Sequence, residues 1–240
     1  MRPVRALLFD LDHTLFDTER TERRALRKVA SEVGVPLGPR TVAAYKEVNL
    51  HVWSEYRAGR ITSKELRVLR FEMWLARVDR SAHDPTALAR LYLNEFSSHG
   101  DLITGTRAAM RTFRSSGYRL GVVTNGIDRV QRRRLEASGL KGHFHTIVTS
   151  ERAGITKPDP RIIELALKRM RIAAPEAVYV GDDPEVDGLA ANRASVRFAW
   201  FNPLGKTLSP QSGVTIDYEI SHLHELHRIV IASATHSELA

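Results

Sequence analysis

Aspartates stand where short apolar runs break off. The run Ala6-Leu7-Leu8-Phe9 gives way at once to Asp10, with Asp12 two residues on and Thr14 beyond it. A second run, Val122-Val123, ends in Thr124-Asn125-Gly126. A third, Tyr179-Val180-Gly181, ends in Asp182-Asp183-Pro184, with Asp187 shortly after. A carboxylate at the end of a buried strand is costly unless a metal ion or a nearby cation compensates its charge. Lys157, in Thr156-Lys157-Pro158-Asp159-Pro160, can be that cation. A residue before proline is held extended or in a turn, which aims its side chain at a fixed point, and an ammonium there offsets both carboxylates and a transferring phosphoryl group. Asp10 can attack phosphorus as a carboxylate nucleophile, and Asp12 is near enough to exchange a proton with a leaving group. Thr124, Asn125 and Gly126 offer short donors and close backbone approach to a phosphate. Asp182 is a third oxygen ligand, with Asp10 and Asp12, for Mg²⁺, which prefers octahedral oxygen donors. Asp187 would face back from the first helical turn to orient Lys157 or a metal-bound water. Asp183 either joins the site or caps the helix that Pro184 opens. Taken singly, each motif has a plainer use as a turn, a cap or a surface lysine.

These residues need a parallel sheet to bring them together, because ligands bind outside the carboxyl ends of such strands. Strands are expected at 6–9, 119–124, 146–149, 177–180 and 198–201, with a weak one at 218–220. Helices alternate with them at 106–115, 128–138, 160–170 and 184–194, and a last one starts near Leu223. That alternation argues for an α/β fold, a Rossmann-like parallel sheet covered on both faces. Residues from about 17 to 98 read differently, as helices only. Gly34 and Pro36 stop the first, Gly59 the second, Thr62-Ser63-Lys64-Glu65 has the form of a capping box, and Asp84-Pro85 starts the fourth. The expected organisation is a core of 1–16 and 99–240 with a helical cap domain, 17–98, inserted after the first strand.

Composition bounds the function. The 240 residues carry 42% hydrophobic and 27% charged side chains and no cysteine, which rules out disulfides and thiolate catalysis. Absent cysteine, no leader ahead of the first strand and no apolar run near 20 residues point to a cytoplasmic protein with no membrane partner. The formal charge is +8, yet the basic residues are dispersed. The densest run, Arg132-Arg133-Arg134, is expected to be a solvated helix face. No basic segment is interleaved with aromatics, so no nucleic acid polymer is expected, and small anions such as phosphate esters suit the charge better. The choice between monomer and dimer stays open.

Leu8-Phe9-Asp10-Leu11-Asp12-His13-Thr14, Thr124-Asn125-Gly126, Lys157-Pro158 and Gly181-Asp182-Asp183 resemble, in order and type, the four motifs of the haloacid-dehalogenase-like (HAD) hydrolases. The resemblance implies an aspartyl-phosphate mechanism. Asp10 would be nucleophile and metal ligand, Asp12 general acid/base, Thr124 and Asn125 phosphate contacts, and Lys157 the balancing charge. Asp10, Asp12 and Asp182 would bind Mg²⁺, Asp12 through its backbone carbonyl. A phosphatase must protonate an alkoxide and then activate water, whereas a dehalogenase of this family lacks an acid at the position of Asp12, so Asp12 favours phosphoryl chemistry. His13 departs from the glycine or glutamate frequent there, and Thr104-Gly105 from Pro-Gly.

The segment Tyr45 to Tyr56, with Gly59-Arg60-Ile61-Thr62-Ser63 and Arg70-Phe71-Glu72-Met73-Trp74, resembles the α-helical cap of the pyrimidine 5′-nucleotidase branch. That implies a nucleoside monophosphate substrate. Asn49 and Trp53 lie one helical turn apart and share a face suited to a base, although Trp53, Tyr56, Phe71 and Trp74 at helical spacing also suit a core. A sugar or other small-metabolite phosphatase is the nearest alternative. A phosphomutase, a haloacid dehalogenase and a non-catalytic basic binding protein are more distant ones.

Overall fold

Six apolar runs become six strands in the computed structural model, which describes residues 3–235. They are β1 (Ala6–Phe9), β2 (Arg119–Thr124), β3 (Thr146–Thr149), β4 (Ala177–Gly181), β5 (Arg197–Phe201) and β6 (Tyr218–Ile220), in the order β3-β2-β1-β4-β5-β6. Every neighbouring pair is parallel, with Leu8 opposite Gly121 on one side and Tyr179 on the other. The fold is therefore α/β, with β1 near the centre.

Strands buried on both faces read as unbroken apolar runs, and the pleat divides them. Leu7, Phe9, Val178, Val180, Ala199 and Phe201 point to one face, where they pack on α5 (Thr106–Ser115), α6 (Asp128–Ala137) and α10 (Glu225–Thr235) through Phe113, Leu135 and Leu226. Ala6, Leu8, Tyr179, Phe198 and Trp200 point to the other. There α8 (Arg161–Met170) and α9 (Leu189–Arg193) cover them through Ile163, Leu167 and Ala190. Met170 and Leu8 press so closely on Gly121 that an added Cβ would lie 2.9 Å and 2.6 Å from them.

The chain divides into two compact units. One ends at Asp17 and resumes at Asp101, and the other is Thr18–Gly100. The second is built of α1 (Thr18–Glu32), α2 (Pro39–Arg57), α3 (Ser63–Arg77) and α4 (Pro85–Ser98). Its core is aromatic: Tyr92 lies 5.8 Å from Tyr45 and 5.3 Å from Phe71 between ring centroids. Trp74 and Phe71 are buried, while Trp53 and Tyr56 are half-buried.

The elements depart from expectation at two places. A short helix, α7 (Ser150–Ala153), follows β3 without a sequence signal for it. The helix expected over 184–194 instead begins as a wide π-turn, Pro184–Gly188, and only then becomes α9. The cause is Asp183. Its carboxylate accepts from Glu185 and Val186 N–H, and its carbonyl accepts from Val186, Asp187 and Gly188, which spreads the turn.

The capping box at α3 is complete, since the Thr62 hydroxyl accepts from Glu65 N–H and the Glu65 carboxylate accepts from Thr62 N–H. Thr62→Ala is expected to cost about 1 kcal/mol. It should appear as a lower urea midpoint with an unchanged slope, and an unmoved midpoint would show that water replaces the cap without loss.

Candidate active site

Three adjacent strands end together, and each delivers a polar residue to the same edge of the sheet. Asp10 follows β1 and donates its N–H to Val180 of β4 at 2.9 Å. Thr124 closes β2, and Asp182 follows β4. The loop after β1 is held by burial of Leu11, Leu15 and Phe16 and by the N–H groups of Leu15 and Phe16, both bonded to the Leu11 carbonyl. His13 sits in this loop at φ 60°, a left-handed conformation that glycine adopts at lower cost.

Lys157 lies under this edge, buried to 2% exposure. Its ammonium donates to Asp10 Oδ1 at 2.6 Å, to Asp187 Oδ1 at 2.6 Å and to the Tyr179 hydroxyl at 2.9 Å. The Tyr179 hydroxyl in turn donates to the Val123 carbonyl. Burial works against the charge on Lys157, but Asp10 and Asp187 outweigh it and hold the ammonium well above its usual range. Asp10 is pushed up to about 8, first by burial, with Asp187, Asp12 and Asp182 adding to the effect and Lys157 opposing it. Asp182 is pushed up to about 7 by burial and by the neighbouring Asp187 and Asp183.

Carboxylate oxygens of Asp10, Asp182 and Asp187 lie within 4.8 Å of one another. Lys157 answers Asp10 and Asp187, whereas Asp182 is ion-paired to no cation among the described residues. This hard-oxygen donor set with surplus negative charge fits a divalent cation such as Mg²⁺. Thr14 donates to Asp182 at 3.4 Å, and Trp200 Nε1 donates to its carbonyl at 3.1 Å. Asp187 supports Lys157, and its place explains Gly181: a Cβ there would lie 2.3 Å from Asp187 Oδ2. The π-turn swings Asp187 into that space. Asp183 serves as the cap of the turn.

The second motif is arranged around its neighbours. The Asn125 side chain accepts from Lys157 N–H at 2.8 Å and donates to the Lys157 carbonyl at 3.0 Å. It thus fixes the lysine loop. The Thr124 hydroxyl accepts from Gly126 N–H at 3.1 Å.

One expectation is overturned. The run Arg132-Arg133-Arg134 is not a solvated face throughout, because Arg134 is fully buried. Its Nη1 donates to Asp12 Oδ1 at 2.5 Å, and Gln131 Nε2 donates to Asp12 Oδ2 at 2.5 Å. Asp12 therefore stands outside the carboxylate cluster by its side chain. The available signal was position: Val130, Gln131, Arg134 and Leu135 form one helical stripe, so a charge at 134 falls on the buried face.

Within the helical unit, Asn49 Nδ2 donates to Glu22 at 3.0 Å, while its Oδ1 is buried without a partner. Trp53 meets Tyr56 edge-on at 5.7 Å and lies 5.9 Å from the Arg70 guanidinium.

Known proteins resemble this chain over most of its length. A family described as haloacid dehalogenase-like hydrolase matches residues 7–201. The pyrimidine 5′-nucleotidase YjjG of Escherichia coli is 28% identical over 225 residues, covering 93% of this chain and 96% of that protein. A glyceraldehyde 3-phosphate phosphatase of Methanopyrus kandleri is 31% identical over 201 residues, covering 80% and 82%. The structure of YfnB from Bacillus subtilis, solved bound to magnesium, superposes with a TM-score of 0.87 at 28% identity, covering 96% of this chain and all of that one.

The raised carboxylates predict a pH dependence. A carboxyl whose folded pKa lies above its unfolded value binds more protons when folded, so it lowers stability as pH rises between the two values. For Asp182 that window runs from about pH 4 to about pH 7. In metal-free solution Asp182→Asn should gain stability relative to the wild type across this window, measured by urea unfolding at pH 4 and pH 7. A difference that does not change with pH would refute the charge crowding.

Proposed function

The chain belongs to the haloacid dehalogenase-like hydrolase family, and from that premise we propose that it is a Mg²⁺-dependent phosphatase whose preferred substrate is a nucleoside 5′-monophosphate. The observation that carries the reading is Lys157 bonded to Asp10 Oδ1, with Asp182 beside them and the Asp12 carboxylate two residues after Asp10. Lys157 fixes the orientation of Asp10 and leaves Oδ2 for attack on phosphorus. The Asp10–phosphorus bond forms as the bond from phosphorus to the leaving oxygen breaks, and Asp12 gives that oxygen its proton. Asp12 then takes a proton from water as the water oxygen attacks phosphorus, which releases phosphate and restores Asp10. Asp10, Asp182 and the Asp12 carbonyl would hold Mg²⁺, whose positive charge lets an anionic ester approach the carboxylates.

Two lines support a nucleotide: the similarity to YjjG across nearly the full length, and the shared face of Asn49 and Trp53 on α2. In this reading those two residues contact the base, while Thr124 and the backbone around Asn125 and Gly126 contact the phosphate. A sugar phosphate is the second reading, favoured by the similarity to the Methanopyrus enzyme.

Hydrolysis of a panel of UMP, dUMP, dTMP and sugar phosphates tests the substrate class. EDTA should stop turnover, Mg²⁺ should restore it, and Asp10→Asn should abolish it with the fold intact by circular dichroism. Trp53→Ala is expected to lower kcat/KM on dUMP about tenfold, as loss of one base stack does, and to change p-nitrophenyl phosphate hydrolysis much less. Full activity in Asp10→Asn would overturn the mechanism. Efficient cleavage of a sugar phosphate with no turnover of nucleotides would move the substrate to the second reading.

A further inference from the structure

Arg134 and Gln131 converge on a single side chain that the mechanism requires. They lie three residues apart on α6 and are 0% and 2% exposed. Each donates to a different oxygen of Asp12, at 2.5 Å, and Arg134 Nη1 also donates to Gln131 Oε1 at 3.2 Å, which ties the two together. The guanidinium carbon lies 4.2 Å from the Phe16 ring centroid, and Phe16 is bridged through its backbone to Asp12. The arginine is thus wedged between the carboxylate and the end of the loop that carries it.

Packing does not call for this. The loop is already anchored by Leu11, Leu15 and Phe16, and an apolar residue at 134 would continue the stripe of Val130 and Leu135. A buried arginine is costly to desolvate, and its cost is offset when an opposite charge meets it with good geometry. Charge-assisted bonds to both oxygens of one carboxylate also fix its rotamer. A separate feature of the chain reserves the room. An added Cβ on Gly126 would lie 2.2 Å from Gln131 Nε2, so glycine in the second motif lets Gln131 pass over the backbone to reach Asp12.

We propose that Gln131 and Arg134 are positioning residues for the acid–base chemistry of Asp12, holding its carboxylate in one orientation and stabilising the negative charge it carries between the two chemical steps. The inference rests on the phosphatase reading. In the first step the Asp12 proton passes to the leaving oxygen and the charge appears on the carboxylate that Arg134 and Gln131 face. In the second, the same carboxylate takes a proton from the attacking water and the charge is discharged. A displaced Asp12 would fail at both steps, but unequally for different esters. A leaving group that departs readily as an anion needs no proton in the first step, yet every ester shares the second.

The test uses the full chain with Mg²⁺ and compares the wild type with Gln131→Ala and Arg134→Met on p-nitrophenyl phosphate, phenyl phosphate and glycerol 2-phosphate. Both variants should lose at least tenfold in kcat on glycerol 2-phosphate with KM within about twofold. On p-nitrophenyl phosphate they should release a burst of one nitrophenolate per active site, followed by slow turnover, with acid-stable phosphoprotein accumulating. Arg134→Lys, which keeps the charge, should recover part of the loss. Gln131→Ala keeps the test decisive if Arg134→Met does not fold. Equal losses on all three esters without a burst, or no loss, would overturn the positioning role alone. A wild type that hydrolyses neither these esters nor UMP, dUMP, dTMP or the sugar phosphates would overturn the phosphatase reading, and this inference with it.

Discussion

The ammonium of Lys157 buried between Asp10 and Asp187 is the contact that makes the rest of the site possible. Without it two carboxylates would face each other with little water, and one would have to take up a proton or leave. The surrounding structure is arranged to hold that one nitrogen. Asn125 bonds both the N–H and the carbonyl of Lys157, Tyr179 receives its third hydrogen bond, and the π-turn brings Asp187 over Gly181. The parallel sheet contributes by ending β1, β2 and β4 at one level, which puts strands separated by more than a hundred residues within reach of one lysine.

Three cations are buried among the described residues, and each is compensated differently. Lys157 has two carboxylates and a phenol. Arg134 has one carboxylate and the face of a ring. Arg70, inside the helical unit, has the Tyr45 hydroxyl at 3.2 Å and the Tyr92 ring at 5.5 Å. Burial, the leading effect, raises the pKa of Tyr45 and of Tyr92, and the adjacent Arg70 opposes it. A planar guanidinium tolerates such aromatic company because it is weakly hydrated and stacks, whereas a compact ammonium needs full charge opposite it.

Much of the site could be read along the chain because its residues break strong local patterns. Asp10, Thr124 and Asp182 interrupt apolar strands, and a break of that kind is visible without knowledge of the fold. Lys157 was legible through its proline and its order among the other motifs. What could not be read depended on contacts across the fold. Which of three consecutive arginines turns inward is decided by how α6 lies on the sheet. The pairing of Asn125 with Lys157 joins loops 32 residues apart, so a residue expected to touch phosphate is found holding the lysine. The wide turn after Asp183 replaces a helix that propensity alone would continue. Gly126 and Gly181 were visible as glycines, but the side chains that need their space, Gln131 and Asp187, belong to the following elements.

The place of β1 in the sheet has a consequence for synthesis. Its residues are made before those of both its neighbours: β2 lies beyond the whole Thr18–Gly100 unit, and β4 is about 170 residues after β1. At roughly 5–20 residues per second, the central strand waits on the order of ten to thirty seconds for its second partner. During that time Ala6–Phe9 is a naked apolar edge of the sort that attracts other nascent chains. Arg5 on one side and Asp10 and Asp12 on the other bracket it with charge, as gatekeepers do around unavoidable hydrophobic segments. The aspartates proposed for chemistry in the finished protein would thus first keep β1 in solution.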